Sequence, residues 1–115
     1  MYNEYSGFFK KQRDKYFKKI LSNHFRNIPL VVDIGCGQGD FLTQAKELGI
    51  NAEGIDDKDF WINHCTKKGL NVKKGSISKL PFNDHTLDGI FLQSVLEHVD
   101  AVKSMQEISR VIKTD

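Results

Sequence analysis

Apolar positions change their period several times along the chain, and each change predicts an element. From about Asn3 to His24, Phe9, Tyr16, Phe17, Ile20 and Leu21 return close to once per helical turn, which predicts an amphipathic helix. Pro29 closes that segment, because the residue before a proline is held in extended backbone. Val31, Val32 and Ile34 then give a short β-branched run, expected as a buried strand. Gly35, Gly37 and Gly39 follow at alternate positions, and beyond them Phe41, Leu42, Ala45 and Leu48 mark one face of a helix. Gly49 predicts the end of that helix, and Asn51 to Ile55 a second strand that finishes at Asp56. The pattern repeats with a helix from about Lys58 to Lys68 carrying Trp61, Ile62 and Cys65, a stop at Gly69, and a short third strand over Leu70-Asn71-Val72. Asn83-Asp84-His85 is turn chemistry. Leu87 to Leu92 holds a consecutive apolar run after Asp88, as a strand covered on both faces does. Asp100 is a candidate N-cap for a closing helix marked by Val102, Met105, Ile108 and Ile112.

Strands that alternate with helices predict an α/β fold built on a parallel sheet. With 115 residues, 39% of them hydrophobic, the chain can bury one modest core. One domain is therefore expected over 1–115, with a basic amphipathic helix over 1–28 and the α/β core over 29–115. The net charge of +2 is too small to argue for nucleic acid by itself, but it is unevenly spread. Residues 1–30 hold seven Lys/Arg against two acids, and the remainder ten against thirteen. Lys10, Lys11, Arg13, Lys15, Lys18 and Lys19 suit an acidic substrate, RNA or anionic lipid, although a solvated helix face is the plainer reading. Cys36 and Cys65 have no His or Cys at ligand spacing, so reduced thiols and no metal site are expected. No apolar run approaches the length of a membrane span and no leader pattern is present, so a cytoplasmic protein without membrane contact is expected.

A strand, a glycine turn and a helix N-terminus together make a site for a ligand that needs backbone contact. The dinucleotide fingerprint would place its third glycine at position 40, which is Asp40, and the Gly-Lys-Ser/Thr ending of a phosphate-cradling loop is missing. Asp33-x-Gly35-x-Gly37-x-Gly39 instead resembles the first motif of class I S-adenosylmethionine-dependent methyltransferases. That cofactor carries an ammonium and a sulfonium, for which a carboxylate at the strand end is the sensible electrostatic partner. Asp56 lies where an acid at the end of the second strand accepts hydrogen bonds from both ribose hydroxyls in Rossmann-like folds, with Asp57 beside it; a helix cap is the competing role.

The resemblance covers residues 30–115 and implies more. Gly75 to Phe82 is similar to the loop bordering the adenine ring, with Ser76 standing where an acid is common, so the backbone amide of Ile77 becomes the firmer adenine contact. Gln93-Ser94-Val95-Leu96-Glu97-His98-Val99 is similar to the segment that meets the methionine amino group and the rim of the substrate pocket. The implied cofactor residues are thus Asp33, Gly35, Cys36, Gly37, Gly39, Asp56, Asp57, Ser76, Ile77 and Gln93. His98 is the general-base candidate where the acceptor needs one. The implied fold is a Rossmann-like parallel sheet in strand order 3-2-1-4, helices on both faces and an additional N-terminal helix, without the last three strands of the full methyltransferase sheet.

The first expectation for function is methyl transfer from S-adenosylmethionine to a small-molecule acceptor, leaving S-adenosylhomocysteine. Two readings from other classes stand beside it: a non-catalytic cofactor-binding half or partner subunit, and a basic RNA-binding accessory led by the first helix. An apolar fourth strand at a sheet edge would have unpaired backbone groups, which predicts a homodimer or a separate partner chain joined along that edge.

Overall fold

Each change of hydrophobic period is matched by an element in the computed structural model, which describes residues 4–92 and 100–114, with side chains from position 9 onward. The first helix, α1 (Glu4–Ile20), runs on through a π-helical turn (Leu21–Phe25) before the chain enters β1 (Val31–Ile34). Then follow α2 (Asp40–Glu47), β2 (Ala52–Asp56), α3 (Asp59–Lys67), β3 (Val72–Lys74), β4 (Gly89–Leu92) and α4 (Ala101–Val111). The strands form one parallel sheet in the order β3-β2-β1-β4, as the sequence leads one to expect. Val31 stands opposite Ala52 on one side and Gly89 on the other, so the carboxyl ends of β1, β2 and β4 open together.

All four residues of β1 are buried, which explains its lack of alternation. Val31 packs with Phe17, Leu21, Phe41, Ala45 and Ile50 under α1 and α2. Val32 and Ile34 face the opposite side, with Ile55, Ile77, Leu80, Leu87 and Val111. Each such buried side chain contributes about 1.5 to 3 kcal/mol relative to exposure. The glycine stops behave as read: both α2 and α3 end in Schellman motifs. Gly49 and Gly69 have positive φ, and the next residues, Ile50 and Leu70, donate back to Ala45 O and Cys65 O. Gly54 is required for a different reason, since a Cβ there would sit 2.5 Å from Leu42 Cδ1 and 2.8 Å from Cys36 Sγ, where α2 lies on the sheet.

Two boundaries and two faces differ from the sequence expectation. The third strand lies at Val72–Lys74, because Leu70 is spent closing α3 and pairing begins with Val72 opposite Gly54. Its two lysines pair with Glu53 and Asp59, a charged border that discourages further strand addition. The fourth ladder begins at Gly89, while Leu87 instead bridges to Ile112, which has left α4 for extended backbone. On α4 the buried stripe is Ser104, Ile108 and Val111, and Val102 and Met105 are exposed. Asp100 caps this helix as expected, accepting from Lys103 N at 3.1 Å. Along α1, Phe17 is buried but Phe9 and Tyr16 are exposed, so the aromatic stripe is narrower than its periodicity implies. Among the described residues no helix is long and apolar enough to cross a membrane.

Candidate cofactor site

The turn from β1 into α2 is fixed from below by the end of β2. Gly35 N and Cys36 N both donate to Ile55 O, at 2.7 and 3.0 Å, and Gly39 N closes back onto Cys36 O at 3.0 Å. Gly35, Gly37 and Gly39 have φ of 77°, 54° and 88°, a region that L side chains rarely adopt, which accounts for the alternate glycines. Gly39 also lacks room, because a Cβ would meet Leu70 Cδ1 at 2.6 Å and Cys65 Sγ at 2.9 Å. At Gly37 the reverse holds: nothing lies within 4 Å of a Cβ, so the turn is open on that side.

Asp56 ties the ends of β1 and β2 together. Gly37 N donates to its Oδ2 at 2.9 Å and Lys58 N to its Oδ1 at 3.0 Å, so the one carboxylate braces the glycine turn and also closes a local turn before α3. The helix-capping alternative is therefore present in part, as a bond two residues on. Asp57 is exposed and pairs weakly with Lys58 at 3.5 Å. The Cys65 thiol donates to Gly37 O at 3.2 Å, holding the turn from the α3 side.

Asp33 differs from Asp56 in having no donor among the described residues. The residue is 4% exposed, and burial, followed by repulsion from Asp56, raises its carboxyl pKa from 3.8 to about 7. It lines a cavity of about 260 Å³ with Gly35, Cys36, Gln38 and Asp40, bordered by Arg13 and Phe17 of α1, Phe41 of α2 and Phe91 of β4. Phe41 and Phe91 stack at 4.1 Å between centroids, and Phe17 meets both edge-on at 5.4 and 5.8 Å. Asp40, the first residue of α2, accepts from Gln38 Nε2 at 2.7 Å and from Arg13 Nη2, with Lys10 Nζ at 3.8 Å.

The segment Ser76–Lys79 folds as a tight bridge on the far side of β2. Ser76 Oγ accepts from Ser78 N at 3.2 Å and is hydrogen-bonded to Ser78 Oγ at 2.9 Å, so its hydroxyl is already engaged locally. The Ile77 side chain is in the core, and its N–H has no partner among the described residues. The loop is anchored from α4: Leu80 N donates to Glu107, Arg110 Nη2 donates to Leu80 O at 3.1 Å, and Nη1 donates to Phe82 O at 2.9 Å and Asp84 at 2.7 Å. The Arg110 bond, more than the backbone bond from Leu80 or charge alone, keeps the Glu107 carboxyl below its ordinary value. Gln93 and His98, the remaining residues singled out from the sequence, lie outside the described residues.

The structure thus gathers Asp33, the glycine turn and Asp56 at one sheet end, with Ser76 and Ile77 beyond β2. It adds three features that the sequence left unassigned: the Arg13–Asp40 pair, the Phe17–Phe41–Phe91 cluster, and the Glu107–Arg110 anchor. Each ties together segments 24 or more positions apart, and the sequence shows only the separate parts: the bases and aromatics of α1, and the Glu107–Arg110 pair one turn apart on α4.

Such a site on a parallel sheet in this order defines a Rossmann-like methyltransferase. Residues 32–115 match the family described as the methyltransferase domain, and the chain belongs to the class I S-adenosylmethionine-dependent methyltransferases. The cofactor S-adenosylmethionine, and S-adenosylhomocysteine as its product, follow from that family. Among similar proteins, an S-adenosylmethionine-dependent methyltransferase structure from Archaeoglobus fulgidus has a TM-score of 0.73 and 30% identity, over 96% of this chain and 54% of that one. The sterol 24-C-methyltransferase of Schizosaccharomyces pombe is 31% identical over 93 residues, 72% of this chain and 25% of that protein. The demethylmenaquinone methyltransferase of Symbiobacterium thermophilum is 24% identical over 115 residues, 89% of this chain and 46% of its own length. The chain therefore spans about half the length of the solved relative and a quarter to a half of these curated ones.

The residues present fit that cofactor on physical grounds. Asp33 is a buried carboxyl group with no cationic partner among the described residues, Gly37 leaves open space where a Cβ would stand, and Asp56 offers carboxylate oxygens at the neighbouring strand end.

Proposed function

We propose that this chain holds S-adenosylmethionine across the ends of β1 and β2 for methyl transfer to a small-molecule acceptor. The observation that carries this reading is Asp33, buried with no donor among the described residues, beside a glycine turn that is braced by Asp56. In this reading Asp33 faces the cationic methionine end, Gly35, Cys36, Gly37 and Gly39 pass beneath it, and Asp56 with Asp57 receives the ribose. Ser76 and the free Ile77 N–H border the adenine. The bound cofactor supplies an already activated methyl group, so the protein's part is to position, align and exclude water, and an added base is optional. The Phe17–Phe41–Phe91 cluster serves exclusion, since it borders the cavity. A small organic acceptor is favoured by the sterol and menaquinone precursors named for two relatives. Among the described residues β4 pairs only with β1, and we take its outer edge as the place where a strand of a second copy or another chain joins.

Isothermal titration with S-adenosylhomocysteine tests the cofactor reading, with Gly37→Val as the control. No protein atom lies within 4 Å of a Cβ placed there, so the side chain would stand in the open space of the proposed ligand site, while the φ of +54° costs some stability; a folded variant with binding reduced at least tenfold is expected. Absence of binding by the wild-type protein at millimolar ligand would overturn the reading.

A further inference from the structure

Arg13 belongs to α1, outside the residues 32–115 that match the methyltransferase family, yet it lines the same cavity as Asp33. Among the described residues lining that cavity it is the one basic side chain, against the carboxylates of Asp33 and Asp40. A cofactor whose methionine end carries both an ammonium and a carboxylate would find an acid for the first and needs a cation for the second. The guanidinium has capacity to spare: Nη2 donates to Asp40, whereas Nε is buried without a partner. Asp40, for its part, keeps Gln38 Nε2 at 2.7 Å and Lys10 at 3.8 Å if Arg13 turns away, so the exchange does not strand a buried charge.

Resting on the proposed cofactor site, we infer that Arg13 is the carboxylate receptor of this cavity, and that Asp40 is an internal competitor which occupies the guanidinium until a ligand carboxylate displaces it. The exchange would couple ligand entry to α1, because the Arg13–Asp40 pair and Phe17 are among the contacts that fasten that helix over the sheet end. A carboxylate could come from the cofactor's amino-acid end or from the methyl acceptor, and these two sources are separable.

The test measures affinity rather than turnover, using S-adenosylhomocysteine and its decarboxylated analogue, in which the amino-acid end is reduced to a propylamine. Wild-type protein should favour the carboxylate form by about 10- to 100-fold, the range of a charge-assisted, two-pronged hydrogen bond. In the double variant Arg13→Gln/Asp40→Asn, which leaves no unpaired buried charge, the preference should fall below about threefold while the decarboxylated analogue binds as before. Asp40→Asn alone should tighten S-adenosylhomocysteine several-fold by removing the competitor, an outcome that a purely structural ion pair would not give. A double variant that retains the wild-type preference overturns the cofactor carboxylate as the ligand; if acetate and benzoate at millimolar concentration then bind wild type and double variant alike, the receptor role itself is overturned. Failure of wild type to bind either nucleoside is a different result, and removes the cofactor site on which the inference stands.

Discussion

Replacing Asp33 by asparagine should make the ligand-free protein more stable while weakening its hold on the cofactor. An amide matches a protonated carboxyl closely in size and polarity, so the substitution isolates the ionised state. Burial lifts the Asp33 carboxyl from 3.8 to about 7. At about 1.4 kcal/mol for each pH unit, the difference corresponds to roughly 4 kcal/mol held against the native state once the group is ionised. The sign follows from proton counts. Between pH 3.8 and about 7 the native chain binds more protons at this position than the unfolded chain, so unfolding free energy falls as pH rises through that window and levels off above it. Urea unfolding at pH 8 should therefore show Asp33→Asn more stable by about 4 kcal/mol, and at pH 4 the two proteins should lie within about 1 kcal/mol. The same carboxylate should be repaid by a cationic ligand, so wild-type affinity for S-adenosylmethionine should decline as pH drops below about 7, with little pH dependence in the variant. Equal stability of the two proteins at pH 8 would falsify the idea that an uncompensated buried charge sits at the end of β1.

Two further substitutions probe the packing beneath the site. Gly54→Ala should destabilise the chain by about 1 to 3 kcal/mol in thermal or urea unfolding, because the new methyl lands 2.5 Å from Leu42 Cδ1 and forces α2 off the sheet; an unchanged midpoint would show that α2 can yield at no cost. Ser104→Ala should raise stability by about 1 kcal/mol, since the Ser104 hydroxyl is fully buried and unbonded; a loss of stability would mean that the hydroxyl has an acceptor after all.

The parts of the site that could be read from the sequence are those that neighbouring residues specify. Asp33 and the alternate glycines are one continuous turn, and Asp56 follows at the end of the next strand, so spacing alone places them at one sheet end. The Schellman glycines were equally legible, because Gly49 and Gly69 each stop a helix within its own segment. What periodicity could not decide was which of two candidate faces would be covered. Phe9, Tyr16 and Phe17 all recur near the helical repeat of α1, but only Phe17 reaches Phe41 and Phe91 across the sheet end. Val102 and Met105 likewise fit the period of α4, yet the stripe through Ser104, Ile108 and Val111 is the one that meets β1 and the loop before β4. Arg13 was legible only as one of several bases on α1, and nothing local set it apart, as its partner Asp40 is 27 positions away.

Cys36 sits in the glycine turn and lines the same cavity as Asp33. Burial first of all, and then the neighbouring carboxylate of Asp33, push its thiol far above the ordinary range. A sulfonium methyl donor is an electrophile, and a thiolate in the wall of its own binding site would be the nearest soft nucleophile to consume it. Keeping that sulfur protonated makes it a chemically silent spacer: small enough to let α2 approach Gly54, and unable to intercept the methyl group meant for the acceptor. Mass spectrometry after prolonged incubation with S-adenosylmethionine should accordingly find Cys36 unmethylated, the cavity wall itself taking no methyl group.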